Sequence, residues 1–111
     1  MGVFLGNLTI TIGGTNSTAI SGRLLRSVRA LEIHAPAAVD GTITVQSAND
    51  IGDATFNNLQ SPPGTDVVVT AGDVTMINMV AAAGVRVTSD AGGGESAERV
   101  FPVFGEERTH T

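Results

Sequence analysis

Gly41-Thr42-Ile43-Thr44-Val45-Gln46-Ser47 alternates apolar and polar residues, with Ile43 and Val45 on one face. Side chains along an extended chain point to opposite faces with period two, so this stretch is a half-buried strand. The turn cluster Asn49-Asp50-Ile51-Gly52-Asp53 follows, and Thr55-Phe56-Asn57-Asn58-Leu59 reads as a return strand. Together they predict a hairpin.

The same period extends in both directions. Leu8-Thr9-Ile10-Thr11-Ile12 alternates and ends at Gly13-Gly14-Thr15-Asn16. Ala30 to His34 is a strand with Leu31 and Ile33 inward, stopped by Pro36. Asp66 to Thr70 is rich in β-branched residues, and Ser61-Pro62-Pro63-Gly64 before it is a loop. Val74 to Val80 reads as a strand, an irregular crossing segment, or both in turn. Gly84 to Ser89 is a strand, and Ala91-Gly92-Gly93-Gly94-Glu95-Ser96 a flexible loop. Arg99-Val100-Phe101-Pro102-Val103-Phe104 is the last strand; Pro102 cannot donate to a ladder, which predicts an edge or a bend.

Seven to eight short strands with turns every 8–12 residues predict an all-β chain. The architecture is an antiparallel β-sandwich, jelly-roll or Ig-like. The expected core is Ile10, Ile12, Leu31, Ile33, Ile43, Val45, Phe56, Leu59, Val67, Val69, Val85, Val87 and Phe101. Domain organisation follows: an N-terminal arm over 1–7, one sandwich over 8–105, and a polar tail over 106–111.

Composition narrows the function. The 111 residues suit one domain. Six Arg against eleven acidic residues give −5, so no cationic footprint for DNA or RNA exists. Without Cys there is no disulfide or thiolate site. No apolar stretch reaches the roughly 18 residues of a spanning helix, and Met1 to Leu5 lacks the basic start of a signal peptide. A hydrophobic fraction of 41% with 15% charged residues excludes bulk disorder. It hints at surface buried in an assembly.

Chemistry-bearing groups are scattered. His34 and His110 lie far apart, short of a converging ligand set. Asn49, Asp50 and Asp53 offer oxygen ligands for calcium, but Asx residues in turns more often bond their own backbone. Gly92-Gly93-Gly94 lacks the Lys and helix of a phosphate loop. Gly-x-Ser-x-Gly is absent, and Glu106-Glu107 sits where nothing separates the two pKa values. No enzyme activity, cofactor or metal is expected.

Two groups have double readings. Arg23, Arg26 and Arg29 are either solvated charge or bidentate partners for carboxylates on a neighbour. Val3-Phe4-Leu5 either begins the first strand or forms an apolar arm docked on another subunit. These six are the candidate interface residues.

The order of segments resembles small β-sandwich virion proteins of tailed bacteriophages. The resemblance is carried by Ala30 to Ala38, Gly41 to Ala48, Asn49 to Leu59, Thr65 to Val69, Gly84 to Ser89 and Glu95 to Phe101, and covers residues 28–104. It implies a non-enzymatic structural role, foremost a capsid decoration (cement) protein on the outer head surface that bridges capsid subunits. The implied partners are the major capsid protein and further copies of the chain, as a homotrimer, with no nucleic acid and no membrane. The implied location is the virion, after synthesis in the host cytoplasm. A neck or tail component, or a virion-surface carbohydrate-binding module, is the alternative; the lack of Trp and Tyr counts against the last.

Overall fold

The structure, a computed structural model, describes residues 2–21, 25, 28–48, 55–60, 64–78 and 84–107. It is all-β. Among these residues, nine strands run in chain order: β1 (Gly2–Ile10), β2 (Ile20–Ser21), β3 (Val28–His34), β4 (Ile43–Ala48), β5 (Asn57–Asn58), β6 (Val68–Val69), β7 (Val74–Asn78), β8 (Gly84–Ser89) and β9 (Arg99–Glu107). They form two antiparallel sheets. One has the order β1-β9-β3-β7; the other has β2-β8-β4-β5, with β6 also on β4.

β5 and β6 share one edge position. β5 lies against Gln46 and Ser47, β6 against Ile43 and Thr44. Between them the amide of Leu59 donates to Val45, and the amide of Val45 donates to Val67. Next to these bonds, Gln60 and Asp66 form an antiparallel bridge. With that position counted once, each strand of the first half pairs with one of the second half in reverse order: β1 with β9, β2 with β8, β3 with β7, β4 with β5–β6. A long hairpin rolled up in this way is a jelly roll. Of the two architectures predicted, the strand order selects this one.

The core lies between the sheets. Leu8, Ile10, Leu31, Ile33, Phe101 and Val103 enter from the first; Ile20, Ile43, Val45, Val69, Val85 and Val87 enter from the second. Nine of the thirteen expected core residues are buried. Leu59 and Val67 are partly buried at the core's margin. Phe56 is half-buried, stacked beneath the Arg86 guanidinium with 4.2 Å from its carbon to the ring centre. Ile12 is 72% exposed, because β1 ends at Ile10 and the turn carries Ile12 out of the ladder.

Three further expectations are corrected. Residues 2–7 are not an arm apart from the sandwich: they belong to β1 and pair with β9, from Gly2 opposite Glu106 to Asn7 opposite Pro102. Likewise Glu106 and Glu107 extend β9 and are not tail. β9 is not an edge; it lies between β1 and β3, and its pairing with β1 runs through Pro102. Proline is tolerated because the β3 ladder stops one residue earlier, at Ile33 opposite Val103.

Phe101 is fully buried where Ile12 is not. Phe101→Ala is therefore expected to cost about 3–5 kcal/mol, and Ile12→Ser to stay within about 0.5 kcal/mol. Urea unfolding of the two variants checks both.

Candidate functional site

Two features stand out from the sandwich: a buried ionic cluster at one end and an apolar outer face on one sheet. The cluster is centred on Glu95, whose side chain is fully buried. The Asp40 amide donates to one carboxylate oxygen at 2.9 Å, and the Arg99 guanidinium reaches the same oxygen at 2.9 Å. The Gly41 amide at 3.1 Å and the Ser89 hydroxyl at 2.6 Å donate to the other. Its backbone is held too: the Gly13 amide donates to the Glu95 carbonyl, and the Glu95 amide to the Gly14 carbonyl.

This arrangement depends on close backbone approach. Gly94 has φ +87°, and a Cβ there would collide with the Gly13 backbone. A Cβ on Gly41 would collide with the Ala91 amide and Ser89. The Gly-rich loop predicted to be flexible is thus pinned from three sides. Burial alone would raise the Glu95 pKa; hydrogen bonds from Ser89, Asp40, Arg99 and Gly41 outweigh it and hold the carboxyl below its ordinary value. Asp40 is also held low, chiefly by hydrogen bonds from Ser96 and then by Arg99. Both Glu95 oxygens are engaged by donors from the chain itself, which suits them to holding loops together and leaves them poorly placed to accept a substrate proton.

The second feature belongs to the sheet β1-β9-β3-β7. Glu32 stands opposite Phe104 on one side and Met76 on the other, and Phe104 stands opposite Phe4. The rings of Phe4 and Phe104 lie 5.4 Å apart. One step along the strands, His34 stands opposite Val74, and the same register brings Pro102 level with it. The His34 ring meets Phe104 edge-on at 5.0 Å, and its Nε2 is 3.3 Å from Glu32. Phe4, Val74 and Met76 are 54%, 50% and 65% exposed.

The predicted interface residues fall unevenly. Phe4 is on this outer face, Val3 is exposed beside it, and Leu5 packs against the core at a bulge in β1. Arg29 forms an ion pair with Glu106 of its own chain, which holds the Glu106 carboxyl below its ordinary value. Arg23, Arg26, the Asn49–Asp53 turn and His110 lie outside the described residues. Sequence reasoning missed Val74, Met76 and Phe104 as a surface. The available signal was the unbroken apolar run Val100-Phe101-Pro102-Val103-Phe104. A strand apolar at every position is suited to cover on both faces.

No family model matches the chain, and neither a curated protein nor a solved structure is significantly similar to it.

Removing the buried carboxylate leaves Arg99 and the Ser89, Asp40 and Gly41 donors without their acceptor. Glu95→Ala is expected to cost about 3–5 kcal/mol at neutral pH by urea unfolding. A depressed folded pKa stabilises the fold fully above the unfolded value, near 4.5, and the gain is lost as pH falls through the lower folded value. The wild type should therefore lose stability on acidification below that pH, and Glu95→Ala should lose less.

Proposed function

We propose that this chain is a non-enzymatic structural protein of a tailed-phage particle, a decoration protein that binds the outer surface of the head and ties capsid subunits together. The observation that carries the reading is the jelly-roll strand order, an architecture used by viral capsid domains among others. Fold alone does not choose between capsid domains, lectins and cupins. The segments behind the virion resemblance weigh in the same direction, since they coincide with β3, β4, β5, β6, β8 and the start of β9. The excess of negative charge favours a location away from packaged DNA.

The contact with the shell is assigned to the edge of β1, where Val3 is exposed. An edge strand can take up an added strand through its free backbone groups, and an apolar side chain beside it adds burial. A chain truncated before residue 8 is a poor test, because it would strip β9 of pairing from Glu106 to Pro102. The test is binding to heads stripped of the protein. Wild type is expected to sediment with the heads and raise their heat resistance. Val3→Lys, which puts a charge on the edge, should bind at least tenfold more weakly with an unchanged melting temperature. Recovery of the protein from purified tails, with no binding to heads, would move it to the neck or tail. Absence from particles altogether would end the reading.

A further inference from the structure

We infer that the outer face of the sheet β1-β9-β3-β7 is a self-association surface, and that its occupant is a second copy of this chain packed face to face about a two-fold axis. The inference rests on this face alone and is independent of the virion reading.

The first argument is area. Four strands about 4.8 Å apart and about 3.3 Å per residue give a face roughly 20 Å on a side. The exposed fractions of Phe4, Val74 and Met76 leave roughly 350 Å² of apolar surface facing water, the size of the largest patch on an ordinary monomer. Phe104 and Pro102, partly exposed, add to it. A standard interface buries about 800 Å² per partner, and homodimer interfaces are about 65% apolar. A face of about 400 Å² covered by an equal face supplies about half of that area, which suits a small interface.

The second argument is charge. The chain carries −5, which opposes self-association. The face does not share that surplus. Glu106, at its margin, is paired with Arg29, and the centre holds one carboxylate and one imidazole, Glu32 and His34. These two stand on successive outward positions of β3, one of the two inner strands.

That spacing makes the face self-complementary. In a two-fold contact, if residue i meets j then j meets i. Consider an axis in the plane of the contact, running across the strands between the Glu32 and His34 rows. It sets Glu32 over the partner's His34 and His34 over the partner's Glu32. On β7 it sets Met76 over the partner's Val74, and on β9 Phe104 over the partner's Pro102. On β1 it sets Phe4 over the partner's Asn7. Two reciprocal polar pairs then lie between the apolar side chains of β7 and β9, and no carboxylate is buried against a carboxylate. Twisted sheets pack aligned in this manner about 10 Å apart. The pair differs from the three-fold assembly implied by the resemblance.

Sedimentation equilibrium of the full chain at neutral pH, on the order of 100 µM, tests the proposal. Wild type is expected to be a dimer. Met76→Arg places a cation on an exposed site, so it should raise the dimer Kd at least tenfold while the thermal unfolding transition stays put. His34→Glu would stack carboxylates across the axis and should raise Kd by a similar factor. The double exchange, Glu32→His with His34→Glu, restores opposite partners and should recover most of the loss. A wild-type monomer at that concentration, with the face free for some other partner, overturns the proposal. So does a trimer, a dimer indifferent to Met76→Arg, or an exchange that recovers nothing.

Discussion

Glu95 holds together connections that the jelly roll would otherwise leave loose. In a rolled hairpin nearly every connection crosses from one sheet to the other, and each crossing brings unpaired backbone groups to the end of the sandwich. The turn after β1 holds the Glu95 backbone, while the loop between β3 and β4, the end of β8 and the start of β9 hold its carboxylate. A buried charge is costly to desolvate. Here both oxygens receive donors and a guanidinium balances the charge, so the cost is offset. Gly94 and Gly41 are required beside it because the chains approach too closely for any side chain.

Arg99 extends the tie. Its guanidinium reaches Glu95 and, at 3.5 Å, Asp40, while the Asp40 carboxylate accepts from the Ser96 amide at 2.5 Å. The start of β9 is thereby fixed to the loop that leads into β4, on the opposite sheet. β9 then runs between β1 and β3 and supplies Phe101 and Val103 to the core. The outer pairs of the roll join residues far apart in the chain, such as Gly2 with Glu106. Loop-closure entropy must be overcome before such pairs stabilise anything, which makes a tight cluster at the closing end valuable.

Beyond that end, the two faces of the first sheet have different tasks. Its inner face is filled by the core. Its outer face repeats apolar character at Phe4, Phe104, Val74 and Met76, around the Glu32–His34 pair. The outer side of the second sheet is built differently. Gln46 donates to Asn58 and accepts from Arg86, and Asp66 accepts from Asn58 and Gln60. Polar side chains that bond one another in a row are well suited to face water. The described outer face of one sheet is therefore tied by polar bonds, and that of the other carries exposed apolar side chains.

The all-β class was determined by the sequence itself, because period-two alternation acts locally. Ile43, Val45, Val85 and Val87 are buried as their strands alone require. β8 has the bounds its alternation predicted. Where alternation ran past the real strand end, as at Ile12, the pattern misled. β2, two residues long, left no periodic trace. Tertiary structure decided the rest. Pairing β1 with β9 made the expected arm an edge strand of the sheet, and no local signal encodes a partner about a hundred residues away. Folding turned a glycine-rich loop into the most tightly held corner, because Glu95 finds its donors 54 and 55 residues back. Phe4, Val74, Met76 and Phe104 became one surface only through strand register, which aligns side chains from three separate segments and is set by the packing of the whole roll.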